Sequence, residues 1–451
     1  MIKFNINRLS REEIFGGRLI APMRQFLKVH GIDTKDYNYN DDIALITHYL
    51  QNKDMPEEAY FAEKAIPLLE RYYRATHTDL NLDTPVDIDM AEALFAAMGE
   101  SPVQNHFRDN NAFTFVDLFA GIGGFRIALE QLGGRCVYAS EFDISAQKSY
   151  GMNHGVIPFG DITLQENKDI IPNGVDILCA GFPCQPFSLA GLRQGIADKT
   201  KGTLFYDLQE IIMNKHPQII FLENVPGLMS IHNKDEEGNN LPDKTIDTII
   251  DILSNELGYY VPTPQILNAR NFGVPQNRDR VFIVGFQERL EEDYHYPTGE
   301  GIPDIHFGDI REKGIVSSRY YMSERYWQTL VRHKKHQHDK GRGYGYRIIG
   351  DADFGHTLMV GGMGLERNLV IDNLNSNVNQ VEDPRGELNH DHIRVLTERE
   401  CAKMQGFPDY FEICVRKSSA YKQFGNSVAV PVIKEVARSL LEYSGIDYIM
   451  Q

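Results

Sequence analysis

The 451-residue sequence predicts an α/β protein. We expect a mostly parallel sheet with helices on both faces, a helical N-terminal extension and a small irregular domain. Short apolar runs typical of buried strands alternate with helical patterns from Phe113 onward, which indicates such a sheet. Residues 1–112 instead carry apolar residues at three- and four-residue spacing. Residues 287–391 are rich in Gly, Asn, Asp and Tyr and contain few long periodic runs.

The predicted domains follow from these changes of pattern. Residues 1–112 form the helical extension, and residues 113–286 form the main α/β domain. Residues 287–391 form the inserted domain, and residues 392–451 return to the main domain. The polar stretch 101–111 reads as a linker.

Each predicted element of the main domain has its own signal. Apolar runs predict strands at 113–119, 136–139, 175–179, 218–222 and 281–284. A further strand is expected to end at Gly160-Asp161-Ile162. Helical spacing is found at 43 onward, 62–73, 91–98, 125–132, 144–153, 397–404 and 432–443. The helices of residues 1–112 carry no evident chemistry, so structural packing is their expected role, with an autonomous DNA-binding module as the alternative.

Charge and cysteine content narrow the class of protein. The formal net charge of −17 disfavours a uniformly basic nucleic-acid binder, but residues 311–347 hold six Arg and four Lys against three acids. A solvated face is the other interpretation of that segment. The five cysteines include no Cys-x-x-Cys pair, so neither a disulfide framework nor a metal site is expected. No apolar run is long enough to cross a bilayer and no signal region is evident, which predicts a cytoplasmic protein without a membrane partner.

A glycine-rich turn predicts a nucleoside-binding site. Asp117–Gly124 places glycines where a strand turns into a helix, so that the backbone can approach a ligand closely. Glu141 follows the next strand and could hold ribose hydroxyls, and Asp161 could accept a hydrogen bond from an adenine amino group. The spacing does not match Gly-x-Gly-x-x-Gly and no phosphate-binding lysine follows. These features favour S-adenosyl-L-methionine over NAD or ATP.

Three further segments supply the groups needed to methylate C5 of cytosine. Cys184, at the end of a strand and between two prolines, is placed as a nucleophile. Addition of a thiolate to C6 would make C5 nucleophilic. Glu223, in a desolvated pocket, could stay protonated and act at N3. Arg278 and Arg280 could hold the base and orient the carboxyl group. Each residue alone is better explained by packing or by an ion pair, but their ordered combination is more specific.

With these motifs the chain resembles the cytosine-C5 DNA methyltransferases from about Phe113 to its C-terminus. The resemblance implies a Rossmann-like methyltransferase fold and assigns Cys184, Glu223, Arg278 and Arg280 to catalysis. It is carried by segments that occur in the family order: 117–126, 141, 160–162, 181–188, 202–205, 223–225, 276–280, 394–408 and 423–431. The cofactor contacts that it implies are Phe119, Gly121, Ile122, Gly124, Glu141, Phe142, Asp161, Ile162, Pro183, Leu204, Asn426 and Val428. Phe142 stands where some relatives carry Trp.

The same resemblance implies a DNA substrate whose target base is rotated out of the duplex. The insert would then be a target-recognition domain, with Arg342 or Arg347 able to pair with a guanine edge. The predicted DNA-binding residues are Gln185, Ser188, Arg342, Tyr344, Arg347 and Thr357. The insert and extension look most like the bacterial Dcm-type subgroup, which predicts a CCWGG-like target.

The expected partner is double-stranded DNA, bound by a monomer in a bacterial or phage-infected cell, with the protein nucleoid-associated when bound. A cognate restriction endonuclease would act separately, in restriction-modification or host DNA marking. Three alternatives remain open on sequence alone. They are a tRNA cytosine-C5 methyltransferase with the same chemistry, a non-catalytic DNA-binding regulator, and an oxidoreductase that uses the glycine-rich turn for nicotinamide.

Overall fold

The structure is a computed structural model, and it describes residues 39–76, 110–183, 204–234, 239–343, 345–360, 365–373 and 387–450. The elements below are numbered within those residues. The helices are α1 (Tyr39–Gln51), α2 (Ala59–Thr76), α3 (Gly124–Glu130), α4 (Ile144–His154), α5 (Gln165–Asp169), α6 (Leu204–Lys215), α7 (Thr245–Asp251), α8 (Phe307–Ile310), α9 (Glu324–Asp339), α10 (Glu398–Met404), α11 (Lys417–Asn426) and α12 (Val430–Ser444). The strands are β1 (Phe113–Leu118), β2 (Gly134–Ser140), β3 (Ile177–Gly181), β4 (Ile219–Asn224), β5 (His232–Lys234), β6 (Asn240–Lys244), β7 (Gln265–Asn268), β8 (Gln276–Asn277), β9 (Asp279–Phe286), β10 (Gly355–His356), β11 (Leu369–Ile371) and β12 (Ile393–Val395).

The central sheet has the strand order β2-β1-β3-β4-β9-β7, counted within the described residues. Strands β2, β1, β3 and β4 are parallel, while β9 and β7 are antiparallel to their neighbours. Because parallel strands end at the same edge, the carboxyl ends of β1, β3 and β4 lie together, where ligands bind in open α/β sheets. The predicted mostly parallel sheet is confirmed.

Helices cover both faces of this sheet. Alternate residues of a strand point to opposite faces, so Phe115 joins one buried core and Val116 the other. The first core includes residues of α3 and α12, and the second includes residues of α1, α2, α6 and α7. The fold therefore has a three-layer architecture around one sheet.

The N-terminal extension is part of the second core. Ile43, Ile46 and Phe61 are at most 1% exposed. Burial of each such side chain contributes about 1.5–3 kcal/mol. The helices predicted from Ile43 onward and at 62–73 are thus confirmed as α1 and α2, while the one predicted at 91–98 lies outside the described residues. The extension is docked on the sheet.

The inserted region has a small core of its own. Trp327 and Leu330 of α9 pack there with residues of the antiparallel pair β11–β12. Part of the insert belongs to the main core, however, since Tyr294 and Phe307 are buried among residues of the α/β domain. The core of the insert also includes Ile393 and Val395 of β12. The domain boundaries at 287 and 392 stay a prediction.

The strand expected to end at Gly160-Asp161-Ile162 does not form. Phe159 makes a single parallel bridge to Ser140, and a turn follows. Pro158 and Gly160 flank the bridge, and Pro removes a ladder donor, so pairing cannot continue. Within the described residues, no helix combines the length and apolar character required to cross a membrane.

Candidate active site

A cavity of about 730 Å³ opens at the carboxyl ends of the parallel strands. Its walls come from the turn after β1, the ends of β2, β3 and β4, the start of β9 and helix α11. Ten of the predicted cofactor residues line it: Phe119, Gly121, Ile122, Glu141, Phe142, Asp161, Ile162, Pro183, Leu204 and Asn426. Three predicted catalytic residues line it as well: Glu223, Arg278 and Arg280. The sheet therefore brings both predicted groups into one cavity.

The glycine-rich turn forms the floor of this cavity. Gly121 and Gly123 have φ angles of +58° and +85°, in the left-handed region that glycine adopts most readily. At Gly123 a Cβ atom would lie 2.1 Å from Nε2 of the buried His154. Phe119 is also left-handed, at φ +54°, and such backbone strain is concentrated at functional sites. The turn thus takes a shape that depends on glycine at Gly123.

Two predicted cofactor residues lie outside the cavity lining. A Cβ on Gly124 would come within 2.7 Å of Cγ2 of Val428, so the two residues pack together beneath the turn. Val428 is only 7% exposed. In this structure both residues contact each other and the supporting core, and their role in cofactor binding remains a prediction.

Glu141 is held at the end of β2 by the backbone. Its Oε2 accepts a hydrogen bond from the N–H of Gly121, and its Oε1 accepts one from the N–H of Asp143. Burial raises the pKa of this carboxyl group, and these hydrogen bonds lower it. Glu141 therefore links the glycine turn to the start of α4, with its carboxylate at the cavity wall.

An aromatic side chain stands beside this carboxylate. Phe142 is 75% exposed although it is a large apolar residue. The neighbouring Asp143 caps α4 and forms an ion pair with Lys422 of α11 at 2.5 Å. Exposed aromatic area of this kind at a cavity mouth suits stacking of a flat ring.

Asp161 also lines the cavity, two residues after Phe159, which forms a bridge to Ser140 at the end of β2. Its Oδ1 accepts hydrogen bonds from the backbone N–H and the hydroxyl group of Thr163. No hydrogen bond to Oδ2 is found in the described part of the chain, so this oxygen can accept a bond from an amino group in the cavity.

Glu223 and Arg280 form the polar centre of the cavity. Glu223 is the penultimate residue of β4 and is 8% exposed. Arg280 comes from β9, which pairs with β4, and its Nε lies 2.8 Å from Oε1 of Glu223. Burial raises the pKa of the Glu223 carboxyl group, and the two nearby arginines oppose this. A carboxyl group whose pKa is raised by burial holds its proton to a higher pH than a free one and is better suited to act as an acid.

Arg278 is bound differently from Arg280. It is 2% exposed, and its guanidinium donates hydrogen bonds to the carbonyl oxygens of Gly425 (3.1 Å), Ser427 (2.5 Å) and Leu358 (3.4 Å). Burial lowers its pKa to about 9. Arg278 therefore ties the insert and the C-terminal segment to the cavity wall.

The predicted nucleophile Cys184 lies outside the described residues. The structure does show where the chain leads to it, because Gly181 at the end of β3 is the register partner of Glu223. The amide of Asn224 donates a hydrogen bond of 2.9 Å to the carbonyl oxygen of Phe182. The segment that leads to Cys184 is thus fixed beside Glu223.

Sequence reasoning missed several cavity residues. They include Ser140, Ser145, Thr163, Phe182, Ser419, Lys422 and Gln423. Ser419, Lys422 and Gln423 lie on α11. Gln423 begins the 423–431 segment but had no assigned role, and Ser419 and Lys422 precede that segment. The ion pair between Lys422 and Asp143 joins residues 279 positions apart, and no local pattern indicates it.

The predicted DNA-binding residues are only partly described. Gln185, Ser188 and Tyr344 lie outside the described residues. Arg342 is exposed just after α9, and Nη2 of Arg347 lies 4.0 Å from Asp353. The hydroxyl group of Thr357 donates a hydrogen bond of 2.6 Å to the carbonyl oxygen of Asn277. Thr357 therefore joins the insert to the strand that precedes Arg278, and DNA contact by these residues remains a prediction.

The fold and the cavity define an α/β enzyme with a nucleoside-type site next to a buried carboxyl–guanidinium pair. A family model described as "C-5 cytosine-specific DNA methylase" matches residues 113–442. The chain belongs to this family, and it is a DNA (cytosine-5-)-methyltransferase.

Curated relatives agree with the family match. The chain is 51% identical over 338 residues to the Type II methyltransferase M.HpaII of Haemophilus parainfluenzae, covering 74% of this chain and 91% of the relative. It is 35% identical to M.HhaI of Haemophilus parahaemolyticus, covering 72% and 93%. It is 36% identical to M.MspI of Moraxella sp, covering 73% and 70%.

Solved structures support the fold. The Dnmt2 methyltransferase of S. pombe superposes with a TM-score of 0.54 at 19% identity, covering 74% of this chain and 99% of that one. The Entamoeba histolytica methyltransferase EhMeth gives a TM-score of 0.53 at 17% identity, with coverages of 73% and 98%. At these identities the likeness concerns the fold alone.

Proposed function

We propose that this enzyme transfers a methyl group from S-adenosyl-L-methionine to C5 of a cytosine rotated out of double-stranded DNA. The main observation behind this proposal is that the glycine turn and the Glu223–Arg280 pair line the same cavity. A nucleoside cofactor and a pyrimidine base can then lie side by side. The chain's membership of the cytosine-C5 family supports this assignment.

The residues of the cavity fit S-adenosyl-L-methionine. The turn at Gly121 allows close backbone approach, and Glu141 offers carboxylate oxygens suited to ribose hydroxyls. Phe142 supplies an exposed ring for adenine, and Oδ2 of Asp161 can accept from its amino group. When bound, this cofactor supplies an electrophilic methyl group.

The chain's own residues would activate the base. The Cys184 thiolate forms a bond to C6 of cytosine, and the C5–C6 electron pair moves towards C5. Burial raises the pKa of the Glu223 carboxyl group. In its protonated form this group would donate a proton at N3 and stabilise the charge that develops there. Arg280 orients Glu223 through their ion pair. Arg278, two residues earlier, fixes this part of the cavity wall through its hydrogen bond to the carbonyl oxygen of Gly425. After methylation, C5 loses its proton to solvent and the C6–S bond breaks, which releases the thiolate. N3 returns its proton to the Glu223 carboxylate, so that both the base and the acid are restored.

Recognition of DNA is assigned to the insert. Helix α9 and the residues after it concentrate positive charge, with Arg332, Lys334, Lys335, Lys340 and Arg342 in a short stretch. Such charges bind phosphates, and arginine side chains can read guanine edges. The protein would act as a monomer in the cytoplasm, where its DNA substrate lies. A separate endonuclease would complete a restriction-modification system, and the CCWGG-like target remains a prediction.

Bisulfite sequencing tests this function directly. Plasmid DNA would be isolated from cells that express the protein and lack other cytosine methylation. We expect protected cytosines at one position of one short motif, which also identifies the target. If the folded protein binds S-adenosyl-L-methionine but protects no cytosine, DNA is not its substrate, and methylation of tRNA would be assayed next.

A further inference from the structure

The N-terminal extension covers the edge strand of the central sheet. Helix α1 runs antiparallel to β2, which is the outermost strand of the sheet. The side-chain amides of Gln51 and Asn52 donate hydrogen bonds to the carbonyl oxygens of Cys136 and Val137, the latter at 3.1 Å. Backbone groups that a seventh strand would use are therefore bound by a helix.

His48 completes this contact. The backbone N–H of Ala139 donates a hydrogen bond of 3.0 Å to Nε2 of His48, so Nδ1 must carry the imidazole proton. Nδ1 donates it to the carbonyl oxygen of Ala44 at 2.8 Å. The ring is fully buried against Tyr138 and Phe159. The position of α1 along β2 is thus fixed by both ring nitrogens.

The same helix reaches the wall of the cofactor cavity. The hydroxyl oxygen of Thr47 accepts a hydrogen bond of 3.1 Å from the N–H of Ile157. Oδ1 of Asp41 accepts one of 2.8 Å from the N–H of Gly160. Gly160 lines the cavity, and the two next residues, Asp161 and Ile162, are predicted cofactor contacts. Asp41 itself does not line the cavity.

The segment 157–160 has little other support from the sheet. It contributes a single bridge residue, Phe159, to β2, whereas β1 pairs with β2 over six residues and with β3 over four. A segment without a ladder depends on side-chain contacts for its position, because each fixed backbone residue loses about 1–2 kcal/mol of conformational entropy. The two hydrogen bonds from α1, to the N–H groups of Ile157 and Gly160, lie on either side of the bridge at Phe159 and fix the segment to the helix.

We propose that α1 is a working part of the cofactor site, and that Asp41 is a positioning residue that holds the Gly160–Ile162 wall in place for S-adenosyl-L-methionine. The inference rests on the proposed use of this cofactor. The family match begins at residue 113, so it assigns no role to this helix. The proposal gives part of the extension a function in the reaction.

Calorimetric titration with S-adenosyl-L-methionine on full-length variants tests this. Asp41→Ala removes the acceptor for the Gly160 N–H. We expect the Kd for S-adenosyl-L-methionine to rise about 5–30-fold, because one hydrogen bond is lost and the cavity wall becomes more mobile. Asp41→Asn keeps an acceptor oxygen and should stay within about threefold of the wild type. In turnover assays, KM for the cofactor should rise in Asp41→Ala while kcat changes little.

Glu57→Ala is the matched control. Glu57 forms an ion pair of 2.7 Å with Arg135, at the opposite end of β2 from the cavity. The substitution therefore weakens docking of the extension but leaves the contacts of the Gly160–Ile162 wall in place. We expect its cofactor affinity to equal that of the wild type. An equal loss of affinity in Glu57→Ala, or unchanged affinity in Asp41→Ala, would overturn the proposal.

Hydrogen exchange separates this idea from the cofactor assignment. The Gly160 amide of the ligand-free protein should exchange at least tenfold faster in Asp41→Ala than in the wild type. If the wild type binds no S-adenosyl-L-methionine, the proposed function is wrong. If the Gly160 amide exchanges at the same rate in Asp41→Ala and in the wild type, the positioning role of Asp41 is refuted, whatever the cofactor result.

Discussion

Nε of Arg280 lies 2.8 Å from Oε1 of Glu223, across two antiparallel neighbours of the central sheet. Glu223 is the penultimate residue of β4, whose other neighbour, β3, leads to Cys184. The ion pair therefore fixes the carboxyl group at the junction of three chain segments. The two strands already share a continuous ladder, so their pairing does not depend on this ion pair.

Glu223→Gln should therefore reduce turnover far more than binding. An amide cannot donate a proton at N3, so we expect kcat to fall about 10²–10⁴-fold. The Kd values for cofactor and DNA should change less than about threefold. Single-turnover methylation and separate titrations measure the two effects. Equal losses in turnover and binding would contradict the assigned role.

Cys184→Ala should abolish methyl transfer and keep binding of cofactor and DNA. Without a thiolate, C5 does not become nucleophilic. Cys136→Ala is a suitable control, because burial raises the pKa of the Cys136 thiol to about 12 and keeps it protonated. Radiolabelled methyl transfer to DNA measures both variants. Turnover by the Cys184 variant would refute the covalent mechanism.

Gly123→Ala should cost more stability than Gly121→Ala. Both residues are left-handed, so each substitution carries backbone strain of about 1–2 kcal/mol. A methyl group on Gly121 meets no atom within 4 Å, while one on Gly123 would overlap the His154 ring. We expect overlap to add about 1–3 kcal/mol. Urea unfolding gives the difference, and equal losses would mean that His154 can move aside.

His48 should make the stability of the protein depend on pH. Burial lowers its pKa to about 3, against an ordinary value of 6.5. Between these values the unfolded chain binds a proton that the folded chain does not, so stability is fully present above pH 6.5 and is lost as the pH falls. At pH 5 the loss from this residue is about 2 kcal/mol.

Urea unfolding at pH 7 and pH 5 measures this contribution. His48→Gln removes the titrating ring but keeps an oxygen that can accept from the Ala139 N–H. The free energy of unfolding should fall less between the two pH values in this variant than in the wild type. The same fall in both proteins would show that other groups cause it, such as His154, whose pKa is also lowered by burial.

The central sheet could be predicted because its signals are local. Apolar runs at 113–119 and 281–284 became β1 and β9 within a few residues. The prediction of a strand ending at Gly160-Asp161-Ile162 was wrong, because Pro158 lacks a ladder donor and pairing is limited to the bridge at Phe159. The outer edge of β2 is also bound by Asn52 and His48, about 90 residues earlier in the chain, which no local pattern indicates.

The candidate site could be predicted by residue type but not by contact. The motif at 276–280 assigned both arginines to the base, yet only Arg280 contacts Glu223. Arg278 instead binds carbonyl oxygens about 150 residues away, at Gly425 and Ser427. Such contacts depend on tertiary packing, and the spacing of charged residues carries no information about them.

The cover that α1 provides over β2 also bears on solubility. An uncovered outer strand offers unpaired N–H and C=O groups that can recruit a strand from another molecule. Strand β2 has seven residues, whereas β7 at the far side of the sheet has four. Helix α1 covers the long edge strand β2, and the short edge strand β7 offers few backbone groups for pairing. By covering β2, the extension prevents this long edge strand from pairing with strands of other molecules and so opposes aggregation.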